Sequence, residues 1–151
     1  MITIRNAGEE DFPAMIELFK EFAAFERMPE KMTNTVERMT AEKELFHSFV
    51  AQTTDGIIVG YATYFFSYHT WIGKSLYIDD LYVREAYRGK GIGTSLMNKS
   101  IEYAKETGCH KMRWQVSNWN NPAIDFYKGL GAEIGTTEQN CDLKLGKRII
   151  S

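Results

Sequence analysis

A mixed α/β fold (α+β), with a sheet of about seven strands flanked by helices, is what this chain predicts, on three observations. Short apolar runs of strand length alternate with longer runs whose apolar residues recur at helical spacing. Asp55-Gly56 stands between two of the strand-length runs as a hairpin signal. A glycine-rich connection, Arg88-Gly89-Lys90-Gly91-Ile92-Gly93-Thr94, joins an apolar run to a helical one, as in a βα unit. The 151 residues, 44% hydrophobic and 25% charged, suffice for one proper core, so residues 1–151 are read as a single domain.

Ile2 to Arg5 reads as the first strand. Glu9 to about Arg27 reads as a helix, with Phe12, Ile16, Phe19 and Ala23 on one face and Pro13 tolerated in the first turn. Thr33 to Phe46 is expected to be a second, weakly patterned helix, with Thr33, Asn34 and Thr35 as competing caps. His47 to Thr53 and Ile57 to Tyr68 follow as strands, the second apolar on both faces, which suits a central strand covered above and below. Leu76 to Val83 is the next strand. From Gly91 to about Thr107 a helix turns Ile92, Leu96, Ile101 and Ala104 inward and stops at Gly108. Lys111 to Ser117 is a strand, and Asn120-Asn121-Pro122 opens a short helix through Lys128, with Asn as cap and Pro at the first helical position. Gly129 to Gly131 ends it, and Ala132 to Thr136 and Cys141 to Leu145 complete a mixed sheet.

The glycine loop carries the first functional signal. Glycines at every second position leave no Cβ atoms between main-chain N–H groups and a ligand, and the helix that follows aims its free donors and positive dipole end at the same spot. A diphosphate is the guest this suits. The dinucleotide fingerprint fails, since its third glycine falls on Thr94 counted from Gly89 and on Leu96 counted from Gly91. A P-loop closes on Gly-Lys-Ser/Thr, whereas Lys90 is followed by Gly91 and Ile92.

A formal net charge of -2 gives no global field for nucleic acid or for an anionic membrane, so neither is expected as a partner. Positive charge is local, in Arg84, Arg88 and Lys90 around the loop. Cys109 and Cys141 lack the paired spacing of zinc ligands and are read as structural thiols; His47, His69 and His110 share no ligand spacing, so no metal is predicted. No basic segment followed by an apolar run precedes Ile2, and no stretch of about 18 apolar residues occurs. The cytoplasm is the expected compartment.

The Arg-x-x-Gly-x-Gly/Ala frame set by Arg88, Gly91 and Gly93 resembles the coenzyme A loop of the GCN5-related N-acetyltransferases, and the order of elements matches that family over nearly all of the chain. Five blocks, Tyr64-Phe65-Phe66-Ser67-Tyr68, Trp71-Ile72-Gly73-Lys74, Leu76-Tyr77-Ile78-Asp79-Asp80, Tyr87-Arg88-Gly89, and Trp119-Asn120-Asn121-Pro122 with Phe126-Tyr127, look like the spermidine/spermine branch. The resemblance implies the acyl-CoA N-acyltransferase fold with a mostly antiparallel sheet. It also implies acetyl-CoA as cosubstrate, a small cationic diamine or polyamine as acceptor, and a homodimer paired through the terminal strands.

Acetyl transfer to an amine needs a neutral nitrogen, a place for charge on the carbonyl oxygen, and a proton for the departing thiolate. An alkylamine with a pKa of about 10.4 is neutral only to the order of one part in a thousand at pH 7, so the site must strip a proton. Asp79 is the candidate, directly or through water, unless it is simply a strand-end surface residue. On a regular strand Asp79 and Asp80 point to opposite faces, so both reach one ligand only across a bulge. By resemblance Asp79 is base or water anchor, and Asp80, Phe25 and Glu26 bind the cationic chain. Trp71 walls the amine channel or else packs in the core. Also by resemblance, backbone N–H groups of Leu81, Tyr82 and Val83 hold the acetyl carbonyl and pantetheine arm, provided the strand splays from Lys111 to Ser117. Arg88, Gly89, Lys90, Gly91, Ile92, Gly93 and Thr94, with Asn120, complete the cofactor site. Tyr127 is the expected proton donor to the thiolate, against the reading of a tyrosine packed at the core edge. An acetylated Cys109 or Cys141 is a minor alternative to direct attack on acetyl-CoA.

Two departures bear on the acceptor. Polyamine-directed members place acid before Trp71, where this chain has His69 and Thr70, and an aromatic residue where Cys141 stands. A shorter diamine, or a lysine-like or thialysine-like amino acid whose carboxylate would favour His69 or Lys74, is therefore an alternative. So are another amine acceptor and, in a different class, a non-catalytic acyl-CoA sensor.

Overall fold

The computed structural model describes residues 1–146, in two compact units, Met1–Gln115 and the described residues from Val116 onward. The first unit holds β1 (Ile2–Asn6), α1 (Phe12–Phe25), α2 (Val36–Ala41), β2 (His47–Thr53), β3 (Ile58–His69), β4 (Gly73–Val83), α3 (Ile92–Glu106) and β5 (Lys111–Arg113). Its strands lie in the order β1-β2-β3-β4-β5. The first four pair antiparallel, and α3 carries the chain over to β5, which runs parallel to β4. The mixed, mostly antiparallel sheet is the one expected.

β3 is central, and its neighbouring side chains serve two layers. Tyr61 meets Phe19 of α1, with ring centroids 4.9 Å apart, whereas a Cβ at Gly60 would stand 3.4 Å from Leu96 Cδ1 of α3. One face thus takes α1 and α2, through Met15, Leu18, Met39, Val50 and Tyr82. The other takes α3, which buries Leu96 and Met97. Each such side chain contributes about 1.5–3 kcal/mol by leaving water.

Three expectations are corrected. The second helix is six residues long, and Thr35 wins among its competing caps, its Oγ1 accepting from Arg38 N at 3.1 Å. The strand expected from Lys111 to Ser117 stops at Arg113. Ala132 to Thr136 and Cys141 to Leu145 form no strand, so the described residues make five strands rather than seven. The alternation of Leu143 and Leu145 is real, but both are 85% exposed, and alternation without a ladder partner and an apolar contact does not hold a strand. In the second unit α4 (Asn121–Gly129) starts where expected, with Asn120 Oδ1 accepting from Ala123 N at 3.3 Å.

Candidate active site

The acidic pair sits at a break in the β3–β4 ladder. Thr63 is opposite Asp80 and Tyr64 is opposite Ile78, which leaves Asp79 as the additional residue. Packing shows the effect: Tyr77 lies against Phe65, centroids 5.1 Å apart, and Tyr82 against Phe22 of α1 at 5.3 Å. Residues five apart share a face only if one extra residue intervenes. The bulge required for Asp79 and Asp80 to reach one ligand is present.

Both aspartates border a cavity of about 520 Å³ between α1, the turn after it, α2 and the sheet. Phe19, Phe22, Ala23 and Glu26 supply the α1 wall, spaced as one helical face. Met28, Met32, Met39 and Phe46 close the rest with apolar surface, and Lys31 and Asn34 add polar atoms. Of the residues expected to bind the amine, Glu26, Asp79 and Asp80 therefore converge. Phe25 does not border the cavity; its ring lies beneath Arg88, with the guanidinium carbon 4.9 Å from the centroid. Trp71 is 90% exposed on the turn between β3 and β4, so it neither borders the cavity nor packs in the core.

Burial pushes both carboxyls up, because a partly desolvated charge is penalised. Asp79 rises through burial alone, although it reaches solvent at the cavity mouth. Asp80 is pushed up to about 7, first by burial and then by the charge of Asp79, while a hydrogen bond from Tyr61 opposes the rise. A carboxyl of that strength is a workable proton acceptor near neutrality.

The glycine loop is shaped for close backbone approach. Gly89 and Gly91 have φ of 76° and 81°, and a Cβ at either would meet nothing within 4 Å. Gly91 caps α3 without any side-chain bond, which leaves the first-turn N–H groups of Ile92, Gly93 and Thr94 without a side-chain partner at the cap. Arg88 braces the loop, its Nε donating to Val83 O at 2.7 Å, while Arg84 is engaged with Glu21 and Lys90 stands 5.4 Å above the Tyr87 ring.

β4 extends past the end of β5, which itself stops at Arg113. The parallel ladder ends at Tyr77 opposite Arg113, six residues before β4 ends at Val83. Arg84 N donates to Val59 O on β3 at 2.8 Å, so by alternation the N–H groups of Leu81 and Val83 face the side β5 has left. By the same alternation the Tyr82 N–H faces β3 rather than that side, and its side chain lies on the α1 face, the hydroxyl 3.4 Å from Glu21 Oε1. In the second unit Tyr127 is 8% exposed on α4, its ring 5.4 Å from that of Phe126, and the Asn120 side chain is engaged as helix cap.

Sequence reasoning missed Phe22, Tyr61 and Lys31. Phe22 was within reach, being three residues from Phe19 and four from Glu26 on the same helical face. Tyr61 and Lys31 had no local signal, because the β3–β4 register and the path of the turn bring them in.

The Acetyltransferase (GNAT) family model matches residues 12–132. The chain belongs to the GNAT family. Like its relatives, this GNAT chain is an acetyl-CoA-dependent N-acetyltransferase. It is 36% identical over 143 residues to a thialysine N-epsilon-acetyltransferase of Bos taurus, covering 87% of this chain and 84% of that protein. It is 35% identical over 150 residues to spermidine/spermine N(1)-acetyltransferase-like protein 1 of Homo sapiens, covering 93% of this chain but 22% of that longer protein. Among solved structures, an aminoglycoside acetyltransferase from an uncultured soil metagenomic sample, in complex with sisomicin, superposes on this GNAT fold with a TM-score of 0.79 at 25% identity, covering 95% of this chain and 97% of that one.

Proposed function

We propose that the chain transfers the acetyl group of acetyl-CoA directly to a primary amine of a small cationic substrate, a diamine or polyamine. The observation that carries this reading is the convergence of Glu26, Asp79 and Asp80 on one aromatic- and methionine-walled cavity. Carboxylates neutralise an ammonium chain, and apolar walls cover its methylenes. Acetyl-CoA supplies the acetyl group as a thioester, and the open space at Gly89 and Gly91 fits its diphosphate. In this reading the first-turn N–H groups of α3 and the side chains of Arg88 and Lys90 hold the phosphates. The N–H groups of Leu81 and Val83 fix the carbonyl oxygen as charge grows on it. Asp79 takes the ammonium proton, directly or through water, and the Tyr127 hydroxyl returns one to the departing sulfur.

A lysine-like or thialysine-like amino acid is the second reading, favoured by the thialysine acetyltransferases among the relatives and by Lys31 and Asn34 in the cavity wall, which suit a carboxylate. A panel of putrescine-like diamines, spermidine, lysine, thialysine and an aminoglycoside with acetyl-CoA separates them. Highest kcat/KM on a diamine or polyamine supports the first reading, highest on an amino acid the second, and turnover of the aminoglycoside alone overturns both.

The active form proposed is a homodimer in the cytoplasm. Exposed Leu143 and Leu145 alternate on a segment that a second copy could pair, and Cys109 and Cys141 are free thiols, as suits a reducing compartment. A mass near that of one chain by light scattering at micromolar concentration counts against the dimer.

A further inference from the structure

Tyr61 is wholly buried, and its hydroxyl donates to Oδ2 of Asp80 at 3.2 Å. Packing does not require that hydroxyl. The ring meets Phe19 at 4.9 Å and Tyr82 at 6.3 Å, contacts a phenylalanine would make equally well. A phenol this deep costs free energy unless its O–H is bonded, and Asp80 is where it is bonded.

Asp80 needs the donor. Tyr61 faces it from β3, Asp79 adjoins it on β4, Glu26 comes from the end of α1, and Lys31 borders the same cavity from the following turn. Two of these neighbours are acids. Burial and like charge favour a protonated, neutral carboxyl, which would not attract a cation. Thr63 Oγ1 accepts from Asp80 N at 3.2 Å and so fixes the backbone, but it does nothing for the carboxyl charge.

We propose that Tyr61 is a positioning residue of the amine site: by donating to Oδ2 it fixes the Asp80 carboxylate, leaves Oδ1 for the substrate ammonium, and favours the charged form that the ammonium needs. The inference rests on the reading of this cavity as the amine site. Its direct consequence is that the Asp80 carboxyl, pushed up to about 7 with Tyr61 acting to lower it, rises further when the hydroxyl is removed.

Tyr61→Phe tests this. In the protein without substrate, the Asp80 midpoint followed by carboxyl 13C NMR should move up by about one pH unit. The acid limb of kcat/KM for the amine should move with it, so that below both midpoints kcat/KM falls about ten-fold while KM for acetyl-CoA is unchanged. The shift should disappear in an Asp80→Asn background. 3-Fluorotyrosine at position 61, a stronger donor, should move the midpoint down, which guards against a folding defect in the phenylalanine variant. An unmoved midpoint in both variants, shifts of the same sign, or a limb shift that persists without Asp80 overturns the proposal. The NMR arm uses no substrate, so it stands even if no amine on the panel is turned over.

Discussion

Arg84 Nη2 lies 2.8 Å from Glu21 Oε2, and its Nε lies 3.2 Å from both carboxylate oxygens. The pair ties the residue after β4 to the helix that walls the cavity. Both side chains are about one-third exposed, which limits its strength. Glu21→Ala should therefore cost about 1 kcal/mol in urea unfolding. It should raise KM for the amine more than it lowers kcat, because α1 walls the cavity proposed to hold the acceptor; equal KM in steady-state assays contradicts this.

Gly91→Ala should be costly in two ways. A side chain at φ 81° strains the backbone by about 1 kcal/mol. The methyl would also occupy the space over the α3 N-terminus that the diphosphate needs. Calorimetric binding of acetyl-CoA should weaken at least about ten-fold, beyond what the strain alone explains. Tight binding by the variant would remove the phosphate role from this loop.

Tyr127→Phe should lower kcat by about 10²-fold with little change in either KM, since the role proposed for the phenol is to protonate the departing sulfur and not to bind substrate. Thermal unfolding should be close to that of the parent. Unchanged turnover at saturating substrates would return Tyr127 to a packing role.

Asp11 gives a pH prediction away from the site. Its carboxylate accepts Arg5 Nη1 at 2.7 Å, Arg5 Nη2 at 2.8 Å and Gly8 N at 2.8 Å, and the Arg5 bonds above all hold it below the usual carboxylate value. A lowered folded-state value means that the stabilisation is fully present above the unfolded value of about 3.9 and is lost as pH falls through the folded one. Asp11→Asn should cost about 2 kcal/mol at pH 7 by urea unfolding. The difference should shrink towards zero at strongly acid pH, whereas a constant difference would show that shape and not charge is responsible.

The sheet and its helices were legible because period and punctuation are local: the hairpin at Asp55-Gly56, the helix stop at Gly108 and the Asn120 cap all act within a few residues. Asp79, Asp80 and Glu26 were legible as acids at element ends, and the need for a bulge followed from strand alternation. Residues brought in over distance were not. Tyr61 reaches Asp80 through the register of β3 and β4, and nothing near either residue announces it. Trp71 shows the opposite error: a large aromatic suggests burial, yet the turn from His69 to Gly73 holds it outward. Leu143 and Leu145 alternate as in a strand, but a pattern within one segment says nothing of whether a neighbour is there to receive it.

Asp79 is the one residue of β4 that the architecture could spare. Without it, Tyr77, Asp80 and Tyr82 would still fall on one side by plain alternation, and Leu76 and Ile78 would still face α3. A chain shortened at that single position should thus keep its hydrophobic interior and an uninterrupted ladder while surrendering one acid. Scaffold and chemistry come apart at this point, and an inactive but well-folded shortened form would serve as the cleanest control for everything the cavity does.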